Sequence, residues 1–226
     1  MKDFFVNSFF SLEGYRHVDL WKDCVYVWEA LSRLEDFLTK MPLGKIEVEI
    51  PPGVHLVHPD LISIGKGTRV EPGAYIQGPC VIGDQCQVRQ GAYVRGHVVT
   101  GDGCVLGHDS EFKHSILLNG VHAAHFNYVG DCILGNAVNL GAGVKCANVR
   151  LDKEPVQIVF KGERISTGLK KMGAIIGDGA QIGCNAVTSP GTVIGKNALC
   201  HPCLHVQGFI PSHARVKPSQ PNIIEE

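Results

Sequence analysis

The chain has 226 residues, of which 44% are apolar and 19% charged, and its formal net charge is −1. These values are typical of a folded protein with a buried core, and they exclude a largely disordered chain. A net charge near zero gives no overall attraction to nucleic acid or to an anionic membrane, so neither is an expected partner. No apolar run is long enough to span a membrane, and the N-terminus lacks a secretory signal pattern.

The first 60 residues are predicted to form a helical linker. Between about residues 18 and 41, apolar residues are spaced three, four and seven apart, which predicts an amphipathic helix. These residues are Leu20, Val27, Trp28, Leu31, Leu34, Phe37 and Leu38. Several acidic residues within the same segment favour docking against the rest of the protein over a membrane-facing role. The strand-like segment 46–50 ends at Pro51 and Pro52, so residues 1–60 are expected to pack on the unit that follows.

A six-residue period begins at Ile64 and predicts the architecture of residues 61–210. An apolar residue recurs at every sixth position, interrupted by Thr100, and a small residue follows it four positions later. The first block of apolar positions is Ile64, Val70, Ile76, Ile82, Val88, Val94, Leu106, Phe112 and Leu118. Tyr128, Leu134 and Leu140 continue the period with an offset, and Ile176, Ile182, Thr188, Ile194, Cys200 and Val206 complete it.

Such a period is typical of an all-β, left-handed parallel β-helix. Three hexapeptides make one triangular coil, with the apolar residue pointing into a narrow prism and glycine, aspartate or asparagine at the corners. Each coil pairs with its neighbours, and the left-handed winding is an exception to the usual crossover rule. Residues 211–226 lie beyond the repeat and are expected to form a C-terminal tail.

Cysteine usage indicates a reducing compartment. The chain has nine cysteines, an odd number, which argues against a complete disulfide framework. Cys80, Cys86, Cys104 and Cys200 occupy core positions of the repeat, where a thiol behaves as a small apolar group. The expected location is therefore the cytoplasm.

The repeat fails between about residues 147 and 173. Basic residues exceed acidic ones there, which favours contact with phosphate groups of a ligand, although a merely solvated loop is the alternative. The basic residues between positions 145 and 171 are Lys145, Arg150, Lys153, Lys161, Arg164, Lys170 and Lys171. An extruded basic loop is thus predicted on a rigid solenoid.

Motifs around this break resemble a known family. The segment from His125 to Asp131, HFNYVGD, and the segment 138–143, VNLGAG, resemble the acetyltransferase half of bifunctional N-acetylglucosamine-1-phosphate uridyltransferases. The stretch from Asn148 to Gly177 is similar to archaeal-type sugar-1-phosphate nucleotidylyltransferase/acetyltransferases. The glycine-rich, arginine-containing loop of the nucleotidyltransferase half is not found, so the resemblance covers the acetyltransferase portion over about residues 80–206.

The resemblance implies an acetyl-CoA-dependent N-acetyltransferase, with His125 as general base. An attacking amine must lose its proton, and imidazole titrates in a suitable range. Glu111 matches a carboxylate that orients this histidine. In both cases a purely structural or surface role is the alternative.

The resemblance also implies a set of ligand contacts. Arg89 and Lys113 match cations for the sugar phosphate. Tyr128 and Asn139 match sugar contacts, Asn148 matches a further polar contact, and Lys171 matches a lysine that reaches the substrate from the loop. Coenzyme contacts fall at Cys184 and Pro202, where relatives carry serine and alanine. Corner asparagines that serve only the turn, and a solvated Lys171, are the alternatives.

Two other classes use the same scaffold. A metal enzyme would need ligands such as the cluster Cys200, His201, Cys203 and His205, but the first of these falls in an inward position. No two of the histidines at 97, 108, 114, 122 and 125 lie five positions apart, as in gamma-class carbonic anhydrases, so no metal is predicted. A non-catalytic assembly or regulatory subunit is the other alternative, against which the retention of several site residues argues.

Assembly and acceptor are also implied by the resemblance. A homotrimer is expected, with sites between chains. A separate nucleotidyltransferase could supply the half that this chain lacks. Glucosamine-1-phosphate is the first choice of acceptor and galactosamine-1-phosphate the second; a nucleotide-linked amino sugar is a further option.

Overall fold

The repeat winds into three-sided coils in the computed structural model, which describes residues 2–219. Each side of the coils is an eight-stranded parallel sheet, here called face A, face B or face C. Face A contains Ile62–Ile64, Cys80–Ile82, Val98–Thr100, Ser115–Leu117, Ile133–Leu134, Ala174–Ile176, Thr192–Ile194 and Phe209–Ile210. Face B contains His55–Val57, Tyr75–Gln77, Tyr93–Val94, Glu111–Lys113, Tyr128–Gly130, Lys145–Cys146, Val187–Thr188 and His205–Val206. Face C contains Arg69–Val70, Gln87–Val88, Val105–His108, His122–His125, Asn139–Leu140, Gln181–Ile182, Leu199–Cys200 and Arg215–Val216.

The chain passes from face A to face C to face B in each coil, and equivalent residues of successive coils pair in register. Gln87 pairs with Val105, eighteen residues on, whereas Glu111 pairs with Tyr128, seventeen residues on. The predicted fold class, an all-β parallel β-helix, is confirmed. The coils extend beyond the predicted limits, because the first strand of face B is His55–Val57 and the last of face C is Arg215–Val216.

A shorter corner shifts two of the predicted inward positions. Leu117, not Leu118, points into the prism, and Leu118 is buried on the outer side instead. Val129 likewise takes the inward position next to Tyr128. The inward residues Phe112 and Leu117 are five apart because the corner between faces B and A has lost one residue, which shortens the coil to seventeen.

The prism is filled by branched apolar and small residues, as the repeat predicts. Thr100, the interruption in the period, is fully buried, and its hydroxyl accepts a hydrogen bond from Gly83 N at 3.0 Å. Cys80, Cys86, Cys104 and Cys200 are buried free thiols. Burial raises the pKa of the Cys80 thiol to about 12, which keeps it protonated and unreactive.

The N-terminal segment covers the outer side of face A. Its helices are the 3-10 turn Lys2–Phe4, the α-helix Val6–Phe9, the 3-10 turn Val18–Trp21 and the α-helix Glu29–Lys40, and a further 3-10 turn, Pro59–Leu61, precedes the coils. The predicted single helix over residues 18–41 is therefore wrong in its first half. Asp23 adopts φ 62°, and the Glu29 carboxylate accepts hydrogen bonds from Val25 N and Tyr26 N, so the helix begins at Glu29. The segment buries outward apolar residues of face A: Val81, Val99, Ile116, Ile133, Ile175 and Val193.

Residues 11–16, here called the arm, precede the 3-10 turn Val18–Trp21. The arm forms hydrogen bonds with a column of Asp and Asn residues at the corner between faces A and C. Ser11 N donates to Asp178 Oδ2 at 2.7 Å, Asn119 Nδ2 donates to Gly14 O at 3.3 Å, and Arg16 Nη2 donates to Asp84 Oδ2 at 2.8 Å. The arm thereby crosses several coils along the helix axis and ties them together.

Acid is expected to weaken this N-terminal docking through His17, which directly follows Arg16 and is 5% exposed. The pKa of His17 is lowered to about 4, mainly by burial and also by the Arg16 charge, while the Asp102 charge opposes both. Because an unfolded histidine titrates near 6.5, the native state is fully stabilised above that pH and loses about 3 kcal/mol as the pH falls from 6.5 through 4.

Urea unfolding at pH 7.5 and pH 4.5 measures this effect against a His17→Phe variant. Phenylalanine keeps the ring contacts with Tyr15 and Phe37 but cannot take up a proton. The wild type should lose more stability between the two pH values than the variant, by about 2–3 kcal/mol. Equal losses would contradict the assignment to His17.

The predicted loop leaves the coils after Cys146, and the repeat resumes at Ala174, as the sequence indicates. It is not freely extruded, because the antiparallel strands Gln157–Phe160 and Glu163–Ser166 fold back on the N-terminal segment. The Phe160 ring contacts Phe4 at 5.0 Å and Phe209 at 4.9 Å between centroids. Arg150 is half-buried and pairs with Asp152, and the other basic side chains of the loop are exposed: Lys153, Lys161, Arg164, Lys170 and Lys171. The end of the predicted C-terminal tail, residues 220–226, lies outside the described residues.

Within residues 2–219, no helix combines the length and the apolarity that are needed to cross a bilayer.

Candidate active site

His125 ends the strand His122–His125 of face C and is exposed at the corner toward face B. Asn127, only 2% exposed, organises this corner: its Oδ1 accepts from His125 N at 3.3 Å and its Nδ2 donates to Gly141 O at 2.8 Å. The equivalent positions of other coils hold small or apolar residues such as Ser110 and Val144. An amide side chain in a repeat position that otherwise holds small or apolar residues is the signal by which the sequence could have identified Asn127.

Both predicted coenzyme contacts lie in the corner column of His125. Gly143 N donates to His125 O, Asn185 N donates to Ala142 O, and Cys203 N donates to Cys184 O, so the coils stack in register along this corner. Cys184 and Pro202 are exposed two and three coils from His125. At about 4.8 Å per coil, Cys184 lies roughly 10 Å along the helix axis from His125.

Face B carries the predicted ligand contacts Tyr128 and Lys113 on its outer side. Tyr128 pairs with Glu111 in the register of the strands, and Lys113 follows two residues after Glu111. Arg95 lies one coil below Lys113, and its Nη1 donates to Glu111 Oε1 at 2.6 Å. Its guanidinium also lies 5.7 Å from the centroid of the Tyr93 ring.

The prediction from the sequence missed Arg95 and gave Arg89 as the phosphate contact. Arg89 lies at the edge of face C, and its guanidinium bonds Gln87 Oε1 at 3.1 and 3.2 Å. The structure therefore brings Arg95, and not Arg89, beside Lys113 and Tyr128. Only the register of the coils distinguishes the two arginines.

Glu111 is engaged with Arg95. Among the described residues, no hydrogen bond joins Glu111 to His125, which lies across the corner on face C and one coil above Glu111. The orientation of His125 by Glu111 stays a prediction. What the structure shows is a carboxylate that holds the Arg95 guanidinium on face B.

Asn139 and Lys171 flank this face on opposite sides. Asn139 lies on face C, in register with His122 and Gln181, beyond the His125 corner. Lys171 is exposed at the end of the loop, next to Met172, whose N–H donates to Asn148 O at 3.0 Å. Asn148 opens the loop at the far edge of face B.

A buried carboxylate, Asp131, lies where face B meets the loop. Lys113 Nζ donates to Asp131 Oδ2 at 3.2 Å, Asn148 Nδ2 donates to the same oxygen, and His114 Nδ1 lies 3.1 Å from Oδ1. Burial acts to raise the pKa of Asp131, but the contacts with His114, Asn148 and Lys113 outweigh it and the pKa is lowered. Burial raises the pKa of Tyr128, and the charges of Glu111 and Asp131 raise it further. At neutral pH, Asp131 is thus ionised and Tyr128 carries its proton.

The cysteine–histidine cluster near the C-terminus does not converge. Cys200 points into the prism, His201 and Cys203 are exposed at a corner, and His205 bonds Ser189 Oγ through Nε2 at 2.7 Å on face B. In the part of the chain that the structure describes, no three His, Cys, Asp or Glu residues form a group that could hold a metal ion.

Comparisons with known proteins agree with the coils and their motifs. A family profile described as "GMPPB C-terminal domain" matches residues 76–159. The chain is 40% identical over 97 residues, 43% of its length, to a bifunctional sugar-1-phosphate nucleotidylyltransferase/acetyltransferase of Sulfurisphaera tokodaii, of which it covers 24%. It is 38% identical over 189 residues, 84% of its length, to the bifunctional protein GlmU of Methanococcus maripaludis, of which it covers 44%.

A further relative is the uncharacterized acetyltransferase YaiX of Escherichia coli, 32% identical over 151 residues, with 67% of this chain and 66% of that protein covered. Among solved structures, the UDP-N-acetylglucosamine acyltransferase of Francisella novicida has a TM-score of 0.45 at 16% identity, covering 72% of this chain and 62% of the other. The chain spans less than half the length of the first bifunctional relatives that it matches.

Several classes of protein share a parallel β-helix of hexapeptide coils, and the matches to acetyltransferases distinguish among them. The chain belongs to the hexapeptide-repeat acetyltransferases that are related to the bifunctional GlmU-type enzymes.

Proposed function

We propose that this chain transfers an acetyl group from acetyl-CoA to the amine of an amino-sugar 1-phosphate. Glucosamine-1-phosphate is the first choice of acceptor and galactosamine-1-phosphate the second. The observation that carries the proposal is the position of His125: it shares a corner column with Cys184 and adjoins the face that carries Tyr128 and Lys113.

The chemistry needs a base at this corner. The acceptor amine attacks the thioester carbonyl, the C–N bond forms, and the C–S bond breaks. The exposed His125 imidazole takes the proton that the amine loses and returns one to the departing coenzyme A thiolate, so no proton is left over. Acetyl-CoA would extend from His125 along the column past Cys184 and Pro202.

The cations of face B suit the phosphate of the acceptor. Arg95 provides a planar guanidinium and Lys113 a point charge, one coil apart. Tyr128, Asn139 and Asn148 are proposed to contact the sugar, and Lys171 to reach it from the loop. Arg89, at the edge of face C, has no phosphate role in this proposal, although its sequence position predicts one.

An acceptor panel tests the proposal. Release of free thiol from acetyl-CoA is expected with glucosamine-1-phosphate and more slowly with galactosamine-1-phosphate, and not with glucosamine, which lacks the phosphate that Arg95 and Lys113 would bind. A nucleotide-linked amino sugar belongs in the same panel. Absence of thiol release with every amino-sugar phosphate would overturn the proposal and favour a non-catalytic assembly subunit.

We also propose a homotrimer, in which neighbouring chains complete the site, and a separate nucleotidyltransferase that uses the product. The Sulfurisphaera tokodaii relative carries a nucleotidylyltransferase and an acetyltransferase in one name, and this chain spans 24% of its length. A cytoplasmic location belongs to the same proposal, because buried free thiols suit a reducing compartment.

A further inference from the structure

We infer that Asp131 is a positioning residue that holds Lys113 and Asn148 toward the ligand and joins the two ends of the basic loop. The inference rests on the proposed function, because those two residues are proposed ligand contacts. Asp131 follows Gly130 at the corner between faces B and A, and only 6% of its side chain is exposed.

The carboxylate is the buried end of a cluster whose other members reach the surface. Its Oδ2 accepts hydrogen bonds from Lys113 and Asn148, and His114 Nδ1 lies 3.1 Å from Oδ1. The side chains of Lys113 and His114 are 24% and 27% exposed. Lys113 is thus fixed at its ammonium while part of it remains open to a ligand on face B.

The backbone of Asp131 also joins the two ends of the loop. Gly173 N donates to Asp131 O at 2.8 Å, and Met172 N donates to Asn148 O at 3.0 Å. Asn148 starts the loop and Met172 ends it, so Asp131 contacts the entry through its side chain and the exit through its carbonyl. Lys171 directly precedes Met172. Asp131 therefore also helps to fix the position of the Lys171 backbone at the end of the loop.

The turn itself does not require a carboxylate. The same corner in the two coils below holds His97 and His114, with φ 52° and 45°, against 52° for Asp131. The backbone therefore accepts other side chains at this position. A buried carboxylate is unfavourable unless its charge is matched, and the Lys113 ammonium and the Asn148 amide supply that match for Asp131.

Two opposing effects decide the outcome of neutralising Asp131. Removing its charge lessens repulsion of a ligand phosphate, but it also frees the Lys113 ammonium and the Asn148 amide. Because the carboxylate is buried and already neutralised by its donors, we expect the loss of fixed geometry to dominate.

Steady-state kinetics of Asp131→Asn, Lys113→Met and the double variant test the inference. Asp131→Asn is expected to raise the KM for the amino-sugar phosphate about tenfold, equivalent to about 1.4 kcal/mol, with kcat and the KM for acetyl-CoA nearly unchanged. In the Lys113→Met background, Asp131→Asn should raise this KM less than it does in the wild type, because Asp131 acts in part through Lys113. An undiminished effect of Asp131→Asn in the Lys113→Met background, or a wild-type KM, would overturn the inference.

Asp178→Asn is the matched control. The Asp178 carboxylate accepts hydrogen bonds from Ser11 N and Asn136 N at the corner between faces A and C, away from face B. Its loss should lower the unfolding temperature without changing the KM for the acceptor. If Asp178→Asn raises that KM as much as Asp131→Asn does, the effect is one of stability and the inference is wrong.

Binding of inorganic phosphate, measured by calorimetry, separates this inference from the proposed function. If the wild type acetylates no amino-sugar phosphate, the proposed function fails, and phosphate binding then decides the role of Asp131. Weaker binding by Asp131→Asn and Lys113→Met than by the wild type supports it. Equal or tighter binding by Asp131→Asn, or no binding by the wild type, overturns it.

Discussion

Replacing His125 by alanine is expected to lower kcat for acetyl transfer by about 10²–10⁴-fold, the usual contribution of a general base. The KM values for acetyl-CoA and the acceptor should change little, because the imidazole acts on the reacting amine and does not bind the phosphate or the pantetheine chain. The measurement is initial-rate thiol release with glucosamine-1-phosphate, or with whichever acceptor the panel identifies.

His55→Ala is the matched control for this loss. His55 is also an exposed histidine, but it lies on the first strand of face B, four coils below Tyr128. Its removal should leave kcat unchanged. Equal rates for the wild type and His125→Ala would show that His125 is not the base, even if the protein is an acetyltransferase.

Replacing Phe112 by alanine is expected to reduce the free energy of unfolding by about 3–5 kcal/mol. Phe112 is fully buried inside the prism, where it stacks between Val94 and Val129 of the adjacent coils. The backbone of three paired sheets surrounds the side chain and cannot collapse readily into the space that it leaves. Urea unfolding measures the change, and leucine at this position should cost much less than alanine.

Phe126→Ala provides the comparison for Phe112→Ala. The Phe126 side chain is 52% exposed at a corner, so its loss should change the unfolding free energy by less than about 1 kcal/mol. A small effect at Phe112 would mean that the coils relax around the cavity. Each coil contacts only its neighbours, so the cavity left by Phe112→Ala is also expected to loosen Glu111 and Lys113, which flank Phe112 on face B.

Face B shows how far the sequence could predict a site. Lys113, Tyr128 and Asn148 are predicted by the family resemblance of their motifs, and the structure brings all three to this face or its edge. Arg95 and Asp131 are near the same motifs in sequence, but their importance depends on what lies one coil above or below. Spacing along the chain does not reveal that stacking, because the coil length changes: paired residues are twenty apart at His55 and Tyr75, seventeen at Glu111 and Tyr128, and sixteen at Val193 and Phe209.

The six-residue period by itself determined the fold and the position of the break at residues 147–173. The physical reason is local: a narrow prism admits only a branched apolar residue and a small one in each hexapeptide, so the strands and corners are specified within six residues. The burial of Cys80 and Phe112 follows from the same rule.

Only the tertiary structure decided which residues meet across coils and what covers face A. A corner shorter by one residue turns Leu117 inward and leaves Tyr128 on the outer side of face B. The same register places Arg95, not Arg89, beside Glu111. The folding back of the basic loop onto Phe4 and Phe209 likewise depends on apolar contacts between distant segments, and no local pattern encodes such contacts.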